Sequence, residues 1–248
     1  MGEVLVLVHG FLGGSSQWSA EFEVLRHGFD VVAPDLAGYG DACDLEAPTG
    51  IEVHARSVLA TLDRLGIDRF HLLGHSMGGM VAQEIVHQAP SRVQRLVLYA
   101  TAAQGSIPGR FETMARSRER LVEEGVERFA RRTCATWLAD REASPAFESL
   151  AALAVRASEQ AARAGLCAME GWDGGDRLAA IRQRTLIIWG ERDRSYGWPL
   201  IETLWRTIPD ASLAVLPDCA HALHLERTAL FHTLLLEFLR PDAATTRA

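Results

Sequence analysis

The sequence predicts an α/β fold: a mainly parallel sheet of six strands with helices on both faces. Three observations carry this. Six short runs along the 248 residues are apolar throughout rather than alternating, as strands buried on both faces are. Helical patterns separate most of these runs, and repeated strand–helix units with short turns build parallel sheets. One long segment lacks any strand pattern and reads as an insertion.

Val4–Val8 is the first run and ends at His9-Gly10; Phe29–Ala33 is the second and ends at Pro34-Asp35. Phe70–Leu73, Arg95–Tyr99, Thr185–Trp189 and Ser212–Leu216 complete the set. Among the helices, Val53–Leu65 places Val58, Leu59, Leu62 and Leu65 on one face. Gly78–Gln88 is small and apolar and stops before Pro90, and Ala229–Leu239 closes the pattern. From Ser106 to Arg177 the chain is rich in Ala, Arg and Glu, punctuated by Gly125, Gly165 and Gly171. That stretch reads as about four helices, and long insertions at the strand ends of α/β sheets carry function. The expected organisation is a core of residues 1–105 and 178–248 with a helical lid at 106–177; extra scaffold helices are the alternative. The small, polar tail Pro241–Ala248 is expected to fray.

Hydrophobic residues make up 48% and charged residues 23% of the chain, with a net charge of −7. A chain of this length buries roughly 70% of its unfolded surface, so its core needs no disulfide or metal. The acidic balance argues against a nucleic-acid partner. The longest apolar runs are far too short to span a bilayer. No basic, apolar and cleavage regions follow Met1-Gly2-Glu3, so no signal peptide is expected. Cys43, Cys134, Cys167 and Cys219 are scattered without a CxxC pair, which suits reduced thiols in a cytoplasm. No HExxH helix or Cys/His cluster has ligand spacing, so neither a metal nor a cofactor is implied.

The chemistry begins at Gly74-His75-Ser76-Met77-Gly78-Gly79. This G-x-S-x-G follows a strand and opens a helix, the context of a nucleophile on a strained, sharp turn. Ser76 would stand at a helix N-terminus, where the dipole favours developing negative charge. Its base should be a histidine oriented by a carboxylate. His221, in the loop after the last strand, is chosen among the nine histidines. The competitor His224 falls near the start of the last helix, where packing or capping is its expected role. His75 is expected to be a pocket or structural histidine, His71 structural, and His9 a shaper of the loop after the first strand. Asp193, in Gly190-Glu191-Arg192-Asp193 after the fifth strand, is chosen as the acid, with Glu191 as the substitute. The oxyanion donors should be the backbone N–H of Met77 and that of Phe11, in the loop that Gly10 allows to come close.

Together, His9-Gly10-Phe11, Pro34–Gly40, Gly74–Gly79, Gly190–Asp193 and His221 resemble the α/β-hydrolase superfamily in its lidded, esterase-like branch. Met77–Glu84, with Arg95–Ala103 after it, looks most like the 3-oxoadipate enol-lactonase and carboxylesterase relatives. The resemblance covers nearly the whole chain outside the lid. It implies the α/β-hydrolase fold and the chain order Ser76, Asp193, His221. Some members carry the acid one strand earlier, where this chain has Thr101-Ala102-Ala103 and no acid. The menaquinone-pathway synthase branch and the meta-cleavage carbon–carbon hydrolases are similar too. They usually carry an aromatic residue or Asn before the serine, where this chain has His75. Two departures have structural consequences. The family commonly opens with a strand hairpin that this chain lacks, so Phe29–Ala33 should be a short strand at an open edge, shielded by a loop or a partner chain. The histidine loop usually has glycine where this chain has Cys219. That thiol is either activated by the neighbouring imidazole or buried and inert.

The expected function is therefore a serine hydrolase that cleaves an ester or lactone of a small, largely apolar molecule through an acyl-enzyme. The alternatives are carbon–carbon cleavage or elimination by the same triad, and a non-catalytic ligand-binding protein on the same fold. Phe11, His75, Trp137, Met169, Trp172 and His224 are the expected substrate contacts. Phe111, Met114, Phe129 and Leu166 are further candidates for an apolar pocket. Arg116, Arg118, Arg120, Arg131 and Arg132 are candidates for meeting an acidic substrate, although most lid arginines should be solvated. A monomer or homodimer is expected.

Overall fold

The computed structural model describes residues 2–107, 110 and 112–240. Its strands are β1 (Glu3–Val8), β2 (Phe29–Val32), β3 (Phe70–His75), β4 (Val93–Tyr99), β5 (Arg184–Gly190) and β6 (Ala211–Leu216). They form one six-stranded sheet in the order β2-β1-β3-β4-β5-β6. Every adjacent pair is parallel. Each strand coincides with an apolar run of the sequence to within two residues at either end.

Alternate residues of the strands feed two cores. Leu5, Leu7, Leu73, Val97, Tyr99, Leu186 and Ile188 face one way, against Trp18, α1 (Ser19–Leu25) and α8 (Thr228–Leu239). Val6, Val8, Leu72, Leu96, Leu98 and Ile187 face the other, against α2 (Ile51–Arg64), α3 (Met77–Gln88) and α7 (Trp198–Thr207). This period of two, buried on both sides, is why the runs are apolar throughout. β2 is a four-residue edge strand bonded to β1, and Asp30 is exposed on it. Among the described residues no strand is added outside it. A short edge strand with a charged, exposed side chain is a poor template for further pairing.

The segment between β4 and β5 is helical. It holds α4 (Met114–Thr136), α5 (Phe147–Ala154), α6 (Glu159–Glu170) and a 3₁₀ turn at Gly175–Ala180. Gly125, at φ 75°, breaks α4 into two arms, a conformation that glycine adopts without the steric penalty of a side chain. These helices share the larger core with the sheet: Phe129, Leu166 and Met169 belong to the same buried cluster as Val8 and Leu98. α6 lies close on the β1 loop. A Cβ at Gly165 would fall 2.2 Å from Tyr39 Oη and 2.8 Å from Phe11 Cδ2, and Tyr39 Oη donates to Ala161 O at 2.9 Å. Among the described residues no helix is long and apolar enough to cross a membrane. Phe111 and the tail Pro241–Ala248 lie outside the described residues.

Candidate active site

The topology reverses around β1: the chain passes from β1 outward to β2, then returns to β3 on the other side. Ligands bind at such switch points, beyond the carboxyl ends of the strands. The loops after β1 and β3 meet there. Ser76, between β3 and α3, has φ 56° and ψ −120°. A non-glycine residue in that region is strained and persists only where its surroundings over-determine it. Here they do. Ser76 N donates to Tyr99 O at 2.9 Å, and Ser76 O accepts from Thr101 Oγ1 at 2.7 Å and from Gly79 N at 2.9 Å. The flanking glycines are required by close approach. A Cβ at Gly74 would lie 2.2 Å from Gly78 O, and one at Gly78 would lie 2.3 Å from Val8 O.

His221 and Asp193 come together from the loops after β6 and β5. His221 Nδ1 lies 2.9 Å from Asp193 Oδ2, and both side chains are buried. The other carboxylate oxygen of Asp193 accepts from Ser195 N at 2.7 Å and Tyr196 N at 3.2 Å. The two loops are tied by Arg192 N donating to Cys219 O at 3.0 Å and Glu191 N to Leu216 O at 3.1 Å. Glu191 points elsewhere: it is half-exposed, and its Oε1 accepts from Asp218 N at 2.9 Å. Asp218, at φ 55°, makes the left-handed turn of the histidine loop. A residue type that tolerates αL thus does the work expected of glycine.

The loop after β1 reaches over Ser76. A Cβ at Gly10 would stand 3.0 Å from the Ser76 Cβ, so this backbone must be bare to pass. His9 holds the loop: Nδ1 donates to Gly10 O at 2.8 Å and Nε2 accepts from Leu36 N at 2.9 Å. Met77 opens α3, so its N–H is one of the four at a helix start without an intrahelical partner.

Phe11, Ser76, Met114, Trp137, Met169 and His221 line one cavity, with Ile107, Arg110, Thr133, Ser195 and Tyr196. Its volume is about 20 Å³, room for a water or two rather than for an organic substrate. A larger cleft of about 560 Å³ is bounded by charged side chains such as Glu127 and Arg128 and touches none of Ser76, Asp193 and His221.

Three expected substrate contacts stand elsewhere. His75 is behind His221: its Nε2 donates to His221 O at 3.3 Å, and its Nδ1 accepts from Gln17 Nε2 at 3.3 Å. His224 bonds Tyr99 Oη through Nδ1 at 2.7 Å. Burial, reinforced by the neighbouring histidines, holds His75 well below the usual imidazole range and His224 down at about 3. Both are neutral packing groups rather than pocket walls. Trp172 turns toward α3, where Nε1 donates to Glu84 Oε1 at 2.8 Å and Arg177 pairs with the same carboxylate. Burial alone would raise the Glu84 carboxyl, but these two bonds hold it below the ordinary range. Phe129 and Leu166 are core residues. The five candidate arginines are all engaged by acids: Arg116 by Glu119 and Glu123, Arg118 by Glu170, Arg131 by Glu148, and Arg120 and Arg132 by Glu112 and Glu124. All five are partly buried rather than fully solvated.

Two tyrosines were missed. Tyr99 Oη lies 3.0 Å from His221 O, so it and His75 grip the same carbonyl. Tyr196, three residues beyond Asp193, has its ring 5.6 Å from that of His221 and lines the same cavity as Ser76. Burial pushes that phenol up to about 12, with the nearby Ser76 hydroxyl working in the opposite direction. The only sequence signal for Tyr196 is its place in the Asp193 loop.

A family model described as the alpha/beta hydrolase fold matches residues 3–228. The chain belongs to that family. It is 28% identical to the 2-hydroxy-6-oxo-6-phenylhexa-2,4-dienoate hydrolase of Burkholderia cepacia over 257 residues, covering 96% of this chain and 88% of that protein. It is 30% identical to the putative carbamate hydrolase RutD of Pseudomonas savastanoi pv. phaseolicola over 242 residues, covering 95% and 93%. Among solved structures it is similar to a thermophilic esterase from Thermogutta terrifontis, with a TM-score of 0.87, 27% identity and coverage of 97% and 90%.

In this α/β-hydrolase the thiol in the histidine loop is placed as a packing group. Cys219 is buried, its Sγ donates to Leu216 O at 3.4 Å, and burial together with the nearby Glu226 carboxylate pushes it up to about 12. Thiolate, the reactive form, is therefore scarce at neutral pH. Iodoacetamide is expected to leave Cys219 unmodified in the folded protein, read by peptide mapping. Labelling at Cys219 faster than at the half-buried Cys43 and Cys167 would contradict this.

Proposed function

We propose that this protein is a serine hydrolase that cleaves an ester or lactone through an acyl-enzyme. One observation supports it above the others: His221, paired with the buried Asp193 at 2.9 Å, shares a cavity wall with Ser76 on its strained turn. In this reading Ser76 Oγ attacks the carbonyl carbon while His221 Nε2 takes its proton. Asp193 keeps the Nδ1 proton in place and stabilises the imidazolium. The N–H groups of Phe11 and Met77 hold the oxyanion, a contribution of roughly 3 kcal/mol for each donor. His221 then protonates the departing alcohol, and water repeats the sequence to release the acid. The substrate is a small molecule, and the segment 106–177 is its lid. A cavity of about 20 Å³ admits a substrate only when those helices move, a gating step of the kind that sets many turnover rates.

Carbon–carbon cleavage by the same residues is the second reading, favoured by the similarity to the dienoate hydrolase. A fluorophosphonate probe is expected to label Ser76, with p-nitrophenyl acetate hydrolysed and a dienoate of that type turned over more slowly. Labelling without ester turnover, together with faster cleavage of the dienoate, would replace the first reading by the second. No labelling at Ser76 would overturn both.

A further inference from the structure

His221 hangs on a loop that leaves β6, and β5 separates β6 from β4. Sheet hydrogen bonding therefore does not fix where this loop stands relative to Ser76. Its backbone carbonyl is held instead by the two strands at the middle of the sheet. His75 ends β3 and Tyr99 ends β4; they are paired across the sheet, with their rings stacked at 4.3 Å. Both donate to His221 O, Tyr99 Oη at 3.0 Å and His75 Nε2 at 3.3 Å. The proton positions follow from the partners. Burial keeps His75 neutral, so its ring carries one N–H. Gln17 Nε2 donates to Nδ1 at 3.3 Å and leaves that hydrogen on Nε2. The Tyr99 hydroxyl also has one hydrogen. Given to His221 O, it leaves the oxygen's lone pairs to His224 N at 3.2 Å and His224 Nδ1–H at 2.7 Å. The same tyrosine holds the turn of Ser76, since its main-chain O accepts from Ser76 N at 2.9 Å.

We infer that Tyr99 and His75 are positioning residues, which set the reach between Ser76 and the imidazole of His221 by fastening the His221 carbonyl to the ends of β3 and β4. Tyr99 does so within one residue, its backbone bonded to Ser76 and its hydroxyl to His221. Neither side chain lines the Ser76 cavity, so both act through His221 rather than on a substrate. Central strands are the stiff part of a domain and loops the mobile part. Tying the base to the stiff part matters, because a misplacement of about 1 Å costs on the order of 100-fold in rate. Asp193 holds the imidazole at Nδ1 and the two donors hold its main chain, so the residue is restrained from two sides. This deepens the proposed serine-hydrolase reading and rests on it.

The test uses Tyr99→Phe, His75→Phe, His75→Gln and the double phenylalanine variant. Phenylalanine keeps the stacked rings and deletes the donor. Glutamine places an amide N–H about as far from the backbone as the imidazole Nε2–H. For p-nitrophenyl acetate, kcat and KM are measured per mole of Ser76 titrated with a fluorophosphonate, so that unfolded protein is not counted. The rate of that labelling is followed separately. Each phenylalanine variant should lower kcat by about 3- to 10-fold, the equivalent of one hydrogen bond, with KM within about 2-fold. The labelling rate should fall in parallel, because the same histidine takes the proton of Ser76. His75→Gln should recover most of the loss. The double variant strips both donors from the carbonyl of a buried residue, and should lose at least about 3-fold more than the product of the two single losses. Variants that melt at a lower temperature yet turn over normally per titrated site would overturn the inference. So would a raised KM at unchanged kcat, or simple multiplication in the double variant. If Tyr99→Phe or the double variant does not fold, His75→Phe against His75→Gln decides. Labelling of wild-type Ser76 with unaltered rates in the variants removes only the positioning role; no labelling of the wild type brings down the serine-hydrolase reading with it.

Discussion

Ser76→Ala is expected to lower kcat by at least about 10³-fold, because losing the nucleophile of a serine-hydrolase triad costs that much or more. The fold should survive the change. The strained backbone at Ser76 is held by main-chain atoms and by Thr101, not by the serine hydroxyl. Alanine keeps the Cβ that already fits at φ 56°. Tyr196, which lines the same cavity, is the nearby tyrosine whose surroundings change. Steady-state kinetics on a p-nitrophenyl ester would be measured beside thermal unfolding and fluorophosphonate labelling. A folded variant with near-normal turnover would remove Ser76 from the mechanism. Loss of labelling together with loss of turnover, at a Tm within a few degrees of wild type, is the expected pattern.

The residues proposed to react were legible in the sequence for a local reason. Each stands at the carboxyl end of an apolar run that could hardly be anything but a buried parallel strand. In a parallel sheet those ends share one edge, so Ser76, Asp193 and His221 had to be near one another whatever their separation in sequence. Glycines at 74 and 78 marked the close approach that the structure then shows against Gly78 O and Val8 O. What supports these residues was not legible. Tyr99 closes an ordinary apolar run, and its bond to the carbonyl of His221 spans 122 positions. His75 reads as a pocket or structural histidine; its ring stacks on Tyr99 with centroids 4.3 Å apart, which is the structural role. Helices α1 and α7 were missed because each is short, seven and ten residues. In the lid, composition gave the arginines but not their partners. Five candidates are engaged by acids, and Arg110, which lines the cavity, was not among them.

Asp193→Asn is expected to lower kcat/KM by about 10³- to 10⁴-fold through the wrong histidine tautomer, and the structure says why the substitution cannot adapt. Asp193 Oδ1 accepts two backbone N–H groups, from Ser195 and Tyr196. An asparagine must keep its carbonyl oxygen there, since an NH₂ facing two donors would leave all of them buried without acceptors. Its NH₂ then faces His221 Nδ1, in the place where Asp193 Oδ2 now lies at 2.9 Å. A donor at that position makes Nδ1 the acceptor and moves the ring proton to Nε2, the nitrogen that must be bare to take the proton of Ser76. Rotating the amide the other way restores the tautomer but breaks the turn Asp193-Arg194-Ser195-Tyr196. Activity and stability therefore cannot both be kept. Glu191→Gln is the control: its oxygen still accepts from Asp218 N, and most of the activity should remain. The pH profile adds a second reading, because catalysis by the asparagine variant should recover at high pH, where hydroxide replaces the histidine as base. If Glu191→Gln proves the damaging change and Asp193→Asn the mild one, the acid has been assigned to the wrong carboxylate.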